Sequence, residues 1–338
     1  MITTRTKLKP KELLSHMQIL LDTGYPFMVV GRVGIGKTSI SKLAATQAGC
    51  QVIVETPHLK EPTDYHGYPF AVSKTKADFL PIGTLHTILN ATHRLHVVFD
   101  ELDKAATETM NAVAQLILQR EVNGRPVPDC VTFSATGNLR IDRSGSNVMP
   151  THLVDRFACI FELEQDIDQW SQWALQQGYP LEFIAFNRFR PEFLLDGQKT
   201  DLARDLIKTP TPRTLATFGE LLKRNAPTEV LSACAGLPYT LEYQGFLKLY
   251  QSLPDIDGIF LNPQGSPVPK DPASLYALSS ALAKKVTPAS MQAMVTYLER
   301  MPIPYQIATM INTIHTKPEC THTAAYTQWA IKNSEVIL

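Results

Sequence analysis

Apolar positions in the first half of the chain follow two rhythms. Leu13, Leu14, Met17, Leu20 and Leu21 recur at helical spacing, which predicts an amphipathic helix over residues 10–22. Pro10 suits its first turn and Gly24 its end. Phe27-Met28-Val29-Val30 is an unbroken apolar run and predicts a short buried strand entering Gly31. Residues 37–48 read as a helix, and Val52-Ile53-Val54 as a second strand. His96-Val97-Val98-Phe99 predicts a third strand. A helix over about 104–119 follows, with Met110, Val113, Leu116 and Ile117 on one face. Val131–Thr136 and Cys159–Leu163 predict a fourth and a fifth strand. Strands alternating with helices imply a parallel sheet covered on both faces, so the expected fold class is α/β.

After about residue 164 almost every segment reads helical. Asp166 can cap a helix with Trp170, Trp173 and Ala174 that stops at Gly178. Asp271-Pro272 and Thr287-Pro288 each resemble an N-cap followed by proline at the first helical position. The stretch from Ser252 to Lys270 predicts an extended loop. Leu275, Leu278 and Leu282, and Met291, Met294 and Leu298, form stripes expected in a core. The pattern suggests an α/β region over 1–164, a helical region over 165–228 and a mostly helical region over 229–338 with no assignable motif. Two hairpins interrupt the first region. One pairs Tyr68–Val72 with Ala77–Pro81 across a Ser-Lys-Thr-Lys turn. The other spans Gln119–Pro128 and turns at Asn123-Gly124.

Composition narrows the function classes. The 338 residues include 32 Lys+Arg and 32 Asp+Glu, a formal net charge of zero. That disfavours wholesale binding to nucleic acid or an anionic membrane, although it leaves room for a local basic patch. No apolar stretch approaches the length of a membrane-spanning helix, and the N-terminus has no signal-peptide core. Cys50, Cys130, Cys159, Cys234 and Cys320 are odd in number and lack CxxC spacing, which fits a reducing, cytoplasmic setting. His315, Cys320 and His322 are spaced poorly for zinc.

The sharpest local signal is Gly31-Arg32-Val33-Gly34-Ile35-Gly36-Lys37-Thr38, which fits G-x-x-x-x-G-K-[ST] between a strand and a helix. Glycines let the backbone curl so that successive N–H groups face phosphate oxygens, and the helix adds its positive end. Gly31 through Ser39 form the candidate ATP-binding segment, with Lys37 expected on the β- and γ-phosphates and Thr38 on Mg²⁺. Downstream, Leu95–Phe99 ends in Asp100 and Glu101. Asp100 suits the metal, and Glu101 suits polarising a water for attack on the γ-phosphate. Asp103 and Lys104 read as solvated charges at a helix start.

With those residues in place the chain resembles the AAA+ ATPases over about residues 10–225, and more closely their MoxR-like branch with an insert in the second helix. The resemblance implies a P-loop NTPase core with a helical lid. It makes Ser134-Ala135-Thr136-Gly137-Asn138 the sensor-1 segment, with Asn138 orienting the attacking water. His152-Leu153-Val154-Asp155-Arg156-Phe157 looks like the family's L-x-x-R-F segment, so Arg156 is the candidate arginine finger and Arg143 the runner-up. Thr211-Pro212-Arg213-Thr214 looks like sensor 2, with Arg213 reaching the γ-phosphate. The hairpins correspond to segments that line a central pore, where Tyr65, Tyr68 and Phe70 are candidate aromatics. The resemblance implies a homo-oligomeric ring, most simply a hexamer. It also implies a chaperone-like action on a protein client, paired with a metal-site adhesion-domain protein. A nucleic-acid motor or loader is the alternative and would use Lys74, Lys76, Arg120 and Arg125.

Overall fold

The structure is a computed structural model. It describes residues 5–139, 149–195, 206–251 and 253–334. The chain divides into two units, Met1–Gln165 and Asp166–Leu338.

The first unit is built on a parallel sheet of six strands: β1 (Thr6–Leu8), β2 (Phe27–Gly31), β3 (Gln51–Glu55), β6 (Leu95–Phe99), β9 (Val131–Asn138) and β10 (Cys159–Leu163). Their order is β1-β10-β2-β9-β6-β3. The strand that precedes the phosphate loop, β2, is therefore separated from the acidic strand β6 by β9. Register places Gly31 opposite Asn138 and Phe99 opposite Ala135, so the three strand ends converge at one edge. The expected α/β, P-loop NTPase core is present. Strands β2, β6 and β9 are buried along their whole length; β2 and β6 read as largely apolar runs for that reason, whereas β9 sets Thr132, Ser134 and Thr136 between its apolar residues. Alternation still sorts their faces. Phe27 and Val29 pack with Leu13, Met17, Leu21, Ala44 and Ala45, whereas Met28 and Val30 join Val97, Phe99, Phe133, Met110 and Val113.

Helix α1 (Pro10–Thr23) begins at Pro10 and ends on Gly24, whose φ of 74° closes it in the left-handed region. Helix α2 (Lys37–Gln47) follows the loop. The helix expected over 104–119 is broken in two. A 3₁₀ turn covers Leu102–Lys104, and a helix covers Thr107–Gln119. Leu102 and Ala105 are fully buried and anchor the turn, while Ala105 and Ala106 are extended. The edge strand β1 has no hydrophobic signal in the sequence; it is mostly exposed and is held by ladder bonds and by Lys7 Nζ at 2.8 Å from Glu164.

Both hairpins form as expected. Strands β4 (Tyr68–Ala71) and β5 (Ala77–Leu80) pair Tyr68 with Leu80 and Phe70 with Asp78. Strands β7 (Glu121–Val122) and β8 (Arg125–Pro126) turn at Asn123 (φ 51°) and Gly124 (φ 78°), the left-handed pair a two-residue hairpin requires.

The second unit is helical. Asp166 accepts the Gln169 N–H at 2.9 Å and caps the helix Ile167–Gln176. An aromatic cluster of Trp170, Phe183, Phe186, Phe218, Tyr239 and Tyr243 fills one core, which continues to Ala277. Leu278, Leu282, Met291, Met294, Leu298 and Trp329 belong to another. Two expectations are corrected. The 252–270 stretch contains a helix, Ile256–Leu261, because the Asp255 carboxylate accepts from both Asp257 N and Gly258 N at 3.1 Å. The helix after Thr287-Pro288 starts only at Met291, since Thr287 and Ser290 bond each other's backbone N–H and close a separate turn. Among the described residues no helix is long and apolar enough to cross a membrane.

Candidate active site

Gly31 ends β2 with its backbone against β10; a Cβ there would lie 3.3 Å from the Leu163 carbonyl oxygen. Gly34 and Gly36 adopt φ of 77° and 103°. These angles turn the chain back on itself before α2, and a side chain at either would be strained. Lys37 opens α2 and is buried. Its Nζ donates to the carbonyls of Gly31 and Arg32, both at 2.9 Å, and to Asn138 Oδ1 at 3.0 Å. The ammonium is thus folded over the loop mouth, held by neutral oxygens. Those are contacts that phosphate oxygens can replace at a gain, because an anion binds the cation more strongly than an amide does. Arg32, Val33, Gly34, Ile35 and Gly36 are half-buried along the loop, and Ser39 is exposed in the first turn of α2.

Asp100 and Glu101 follow β6, and the Asp100 N–H bonds the Glu55 carbonyl at 2.7 Å. Thr38 Oγ1 donates to Asp100 Oδ1 at 2.6 Å, so the two residues expected to share a metal already meet. A hydroxyl and a carboxylate are hard oxygen donors of the kind Mg²⁺ takes, and the residues present fit that ion. Glu101 stands in the left-handed region with φ 52°. Its Oε1 lies 2.7 Å from Lys104 Nζ and its Oε2 4.0 Å from His58 Nδ1, which has no hydrogen-bond partner among the described residues.

The structure changes several residue assignments. Asp103 is not a solvated charge: it is 1% exposed beneath Gly137, where a Cβ would lie 3.4 Å from Asp103 Oδ1. Lys104 is paired with Glu101 instead of standing free in solvent. Tyr65 is buried in the core beside Phe99, so it cannot serve as a pore aromatic, whereas Tyr68 and Phe70 are exposed. Arg120 bonds the carbonyls of Pro128 and Val131 at 2.9 and 3.0 Å and lies over the Phe133 ring, which removes it from the surface charges.

The segment between β3 and β4 carries no periodic pattern, yet it shapes the site. It forms a 3₁₀ turn, Pro57–Leu59, and one helical turn, Thr63–His66. It brings His58 to Glu101, and its His66 carbonyl accepts from the Asn123 side chain, which joins the base of the first hairpin to the turn of the second. Buried Glu55, bonded by Thr84 and 3.8 Å from Lys60 Nζ, anchors its start. Pro57 and Pro62 are the one signal of it in the sequence, marking two tight turns.

Arg156 follows the short helix Thr151–Val154. Leu153 and Phe157 are buried on either side of it, and Arg156 itself is partly exposed, with no side-chain partner among the described residues. Arg143 lies outside the described residues. Arg213 is exposed in the first turn of Pro212–Lys223 in the second unit, where Thr211 caps the helix.

No protein-family model matches the chain, and no curated protein matches it in sequence. Among solved structures it is similar to the Thermotoga maritima RuvB Holliday junction branch migration motor. The identity is 17%, over 86% of this chain and 86% of that one, with a TM-score of 0.39. It is also similar to NtrX from Brucella abortus in complex with ADP, at 13% identity over 97% of this chain and 68% of that one, TM-score 0.40. These likenesses are weak, and the fold is assigned from the strand order and the phosphate loop.

Proposed function

We propose that the chain is a Mg²⁺-dependent ATPase of the AAA+ type that works as a ring and resembles the MoxR-like branch. The observation that supports this best is the pairing across strand ends: Lys37 with Asn138, and Thr38 with Asp100. Two sequence motifs and one resemblance, separated by up to 101 positions, meet within hydrogen-bond distance at one edge of the sheet.

In this reading Gly31 through Ser39 wrap the phosphates with backbone N–H groups, and Lys37 exchanges carbonyl partners for phosphate oxygens. Thr38 and Asp100 hold Mg²⁺, which when bound offsets charge on the phosphate oxygens. Glu101 accepts a proton from the attacking water, and Asn138 orients that water. Arg213 in the same subunit and Arg156 from a neighbour stabilise the charge that develops on the γ-phosphate. An arginine supplied by a neighbour makes turnover depend on assembly, hence the homo-oligomer, most simply a hexamer. The exposed hairpin face of Tyr68, Phe70, Val72 and Leu80 would engage a protein client, with a metal-site adhesion-domain protein as the partner by analogy.

A nucleic-acid motor is the second reading, favoured by Lys74 and Lys76 at one hairpin tip, both exposed and without an ion pair among the described residues, and by exposed Arg125. The loss of Arg120 to internal bonds weakens it. Phosphate release measured on wild type, Lys37→Ala and Glu101→Gln tests the main reading. Lys37→Ala should lose nucleotide binding, and Glu101→Gln should bind ATP but not turn it over. Wild-type turnover by Glu101→Gln would overturn the assignment of the base. A steeply salt-dependent stimulation by single-stranded DNA would favour the motor.

A further inference from the structure

We infer that Thr136 is a positioning residue that sets the geometry of the Asp100–Glu101 pair; the inference rests on the ATPase reading above. Thr136 lies in β9 opposite Val29 and is fully buried. Its hydroxyl donates to Asp100 Oδ1 at 2.6 Å and accepts the backbone N–H of Glu101 at 2.9 Å. The proton direction is forced. A backbone N–H can only donate, so the hydroxyl proton must go to the carboxylate.

Three features make this more than core satisfaction. First, the same Asp100 oxygen accepts a second hydroxyl, from Thr38, also at 2.6 Å. Thr38 sits on the phosphate loop and is committed to the metal once nucleotide binds. Thr136 sits on a central strand, so it is the donor that can remain. Second, both donors are neutral. They orient the carboxylate without cancelling the charge that a divalent cation needs, which a lysine in the same place would do. Third, Glu101 adopts a left-handed backbone, a strained state for a non-glycine residue that persists only where its surroundings enforce it. In a continuing strand, residues 100 and 101 would point to opposite faces. The turn at Glu101 redirects the second carboxylate, and the bond from its own N–H to Thr136 holds that turn on one side. The Lys104 N–H, donating to the Glu101 carbonyl at 2.9 Å, holds it on the other. One hydroxyl therefore fixes the rotamer of the metal carboxylate and the backbone of the base.

The test compares Thr136→Val, which keeps the shape and removes the hydroxyl, with Thr136→Ser, which keeps it. Thr136→Val should release phosphate about ten- to hundredfold more slowly, while its affinity for a fluorescent ATP analogue stays within about threefold of wild type. Thr136→Ser should recover most of the rate. In nucleotide-free protein, amide hydrogen exchange over residues 99–105 should be faster in Thr136→Val and like wild type in Thr136→Ser. That readout needs no turnover. If wild-type protein releases no phosphate, the ATPase reading fails, and the exchange data still decide the role of Thr136. Should valine disturb packing, Thr136→Ala must show the same split between rate and binding. Wild-type exchange and turnover in Thr136→Val would overturn the inference, as would a parallel loss of binding and rate in both apolar variants.

Discussion

Lys104 Nζ lies 2.7 Å from Glu101 Oε1, one turn along the chain from the carboxylate proposed to activate water. A cation at that distance occupies a carboxylate oxygen that the attacking water would otherwise use, and it pins the rotamer. Both side chains are about a third exposed, so solvent limits the pair to about 1 kcal/mol or less. Lys104→Met keeps the aliphatic stem and removes the charge. We expect basal ATP turnover to rise by up to about fivefold with nucleotide affinity unchanged, measured by phosphate release at saturating ATP. A fall in turnover at constant affinity would mean that the pair holds Glu101 in its working position instead.

Arg156 is presented outward by its neighbours, since Leu153 and Phe157 are buried and fix the turn between them. If it acts on the nucleotide of an adjacent subunit, Arg156→Ala should abolish turnover and leave ATP binding near wild type. Mixing Arg156→Ala subunits with Glu101→Gln subunits should then restore part of the activity, because some interfaces combine an intact base with an intact arginine. Neither variant alone should do so. Mixtures as inactive as their components would place Arg156 in the same subunit as the site it serves.

The parts of this site that are legible in the sequence are those whose chemistry repeats locally. A strand running into three spaced glycines and a lysine needs no tertiary knowledge, and Gly34 and Gly36 do adopt the left-handed angles such a loop requires. Asp100 is legible because an apolar strand ends on it. Thr136 and His58 are not. A threonine inside a buried strand looks like any β-branched core residue, and only the β6–β9 register brings its hydroxyl to Asp100. His58 reaches Glu101 through a proline-bounded turn with no periodic pattern. Asp103 reads as solvated for a related reason, since burial of a carboxylate depends on what the sheet places above it, here Gly137.

His96, the second residue of β6, gives a pH prediction for stability. It is fully buried, its two ring nitrogens bond Thr132 and Ser134 hydroxyls at 2.7 and 2.8 Å, and its ring stacks on Phe27. Burial lowers its pKa from 6.5 to about 4. Between those values the unfolded chain binds the proton and the folded chain does not. Its contribution is therefore complete above about pH 6.5 and is lost as the pH falls toward about 4, by up to about 3 kcal/mol. His96→Gln offers a donor and an acceptor without titrating. Urea unfolding at neutral and acid pH should show a shallower loss of stability in that variant, and an unchanged slope would assign the acid sensitivity to other groups.

Gly67 joins the turn Thr63–His66 to the first hairpin under two constraints at once. Its φ is +86°, and a Cβ would stand 2.9 Å from the backbone oxygen of Leu80, which cannot move without breaking the β4–β5 pairing. Gly83 separates the two effects, because its φ is +52° and a Cβ there would meet nothing within 4 Å. Gly83→Ala should therefore cost only the backbone penalty of about 1 kcal/mol. Gly67→Ala should add the clash and undo the hairpin locally, leaving the sheet and nucleotide binding intact. Limited proteolysis and amide exchange over residues 68–80 read this directly, with fast exchange expected for Gly67→Ala and slow exchange for Gly83→Ala. If client-stimulated ATP turnover falls in Gly67→Ala while basal turnover holds, the hairpin face of Tyr68 and Phe70 is the surface the client uses. Loss of both rates together would show instead that the segment before the hairpin, which carries His58 to Glu101, is disturbed with it.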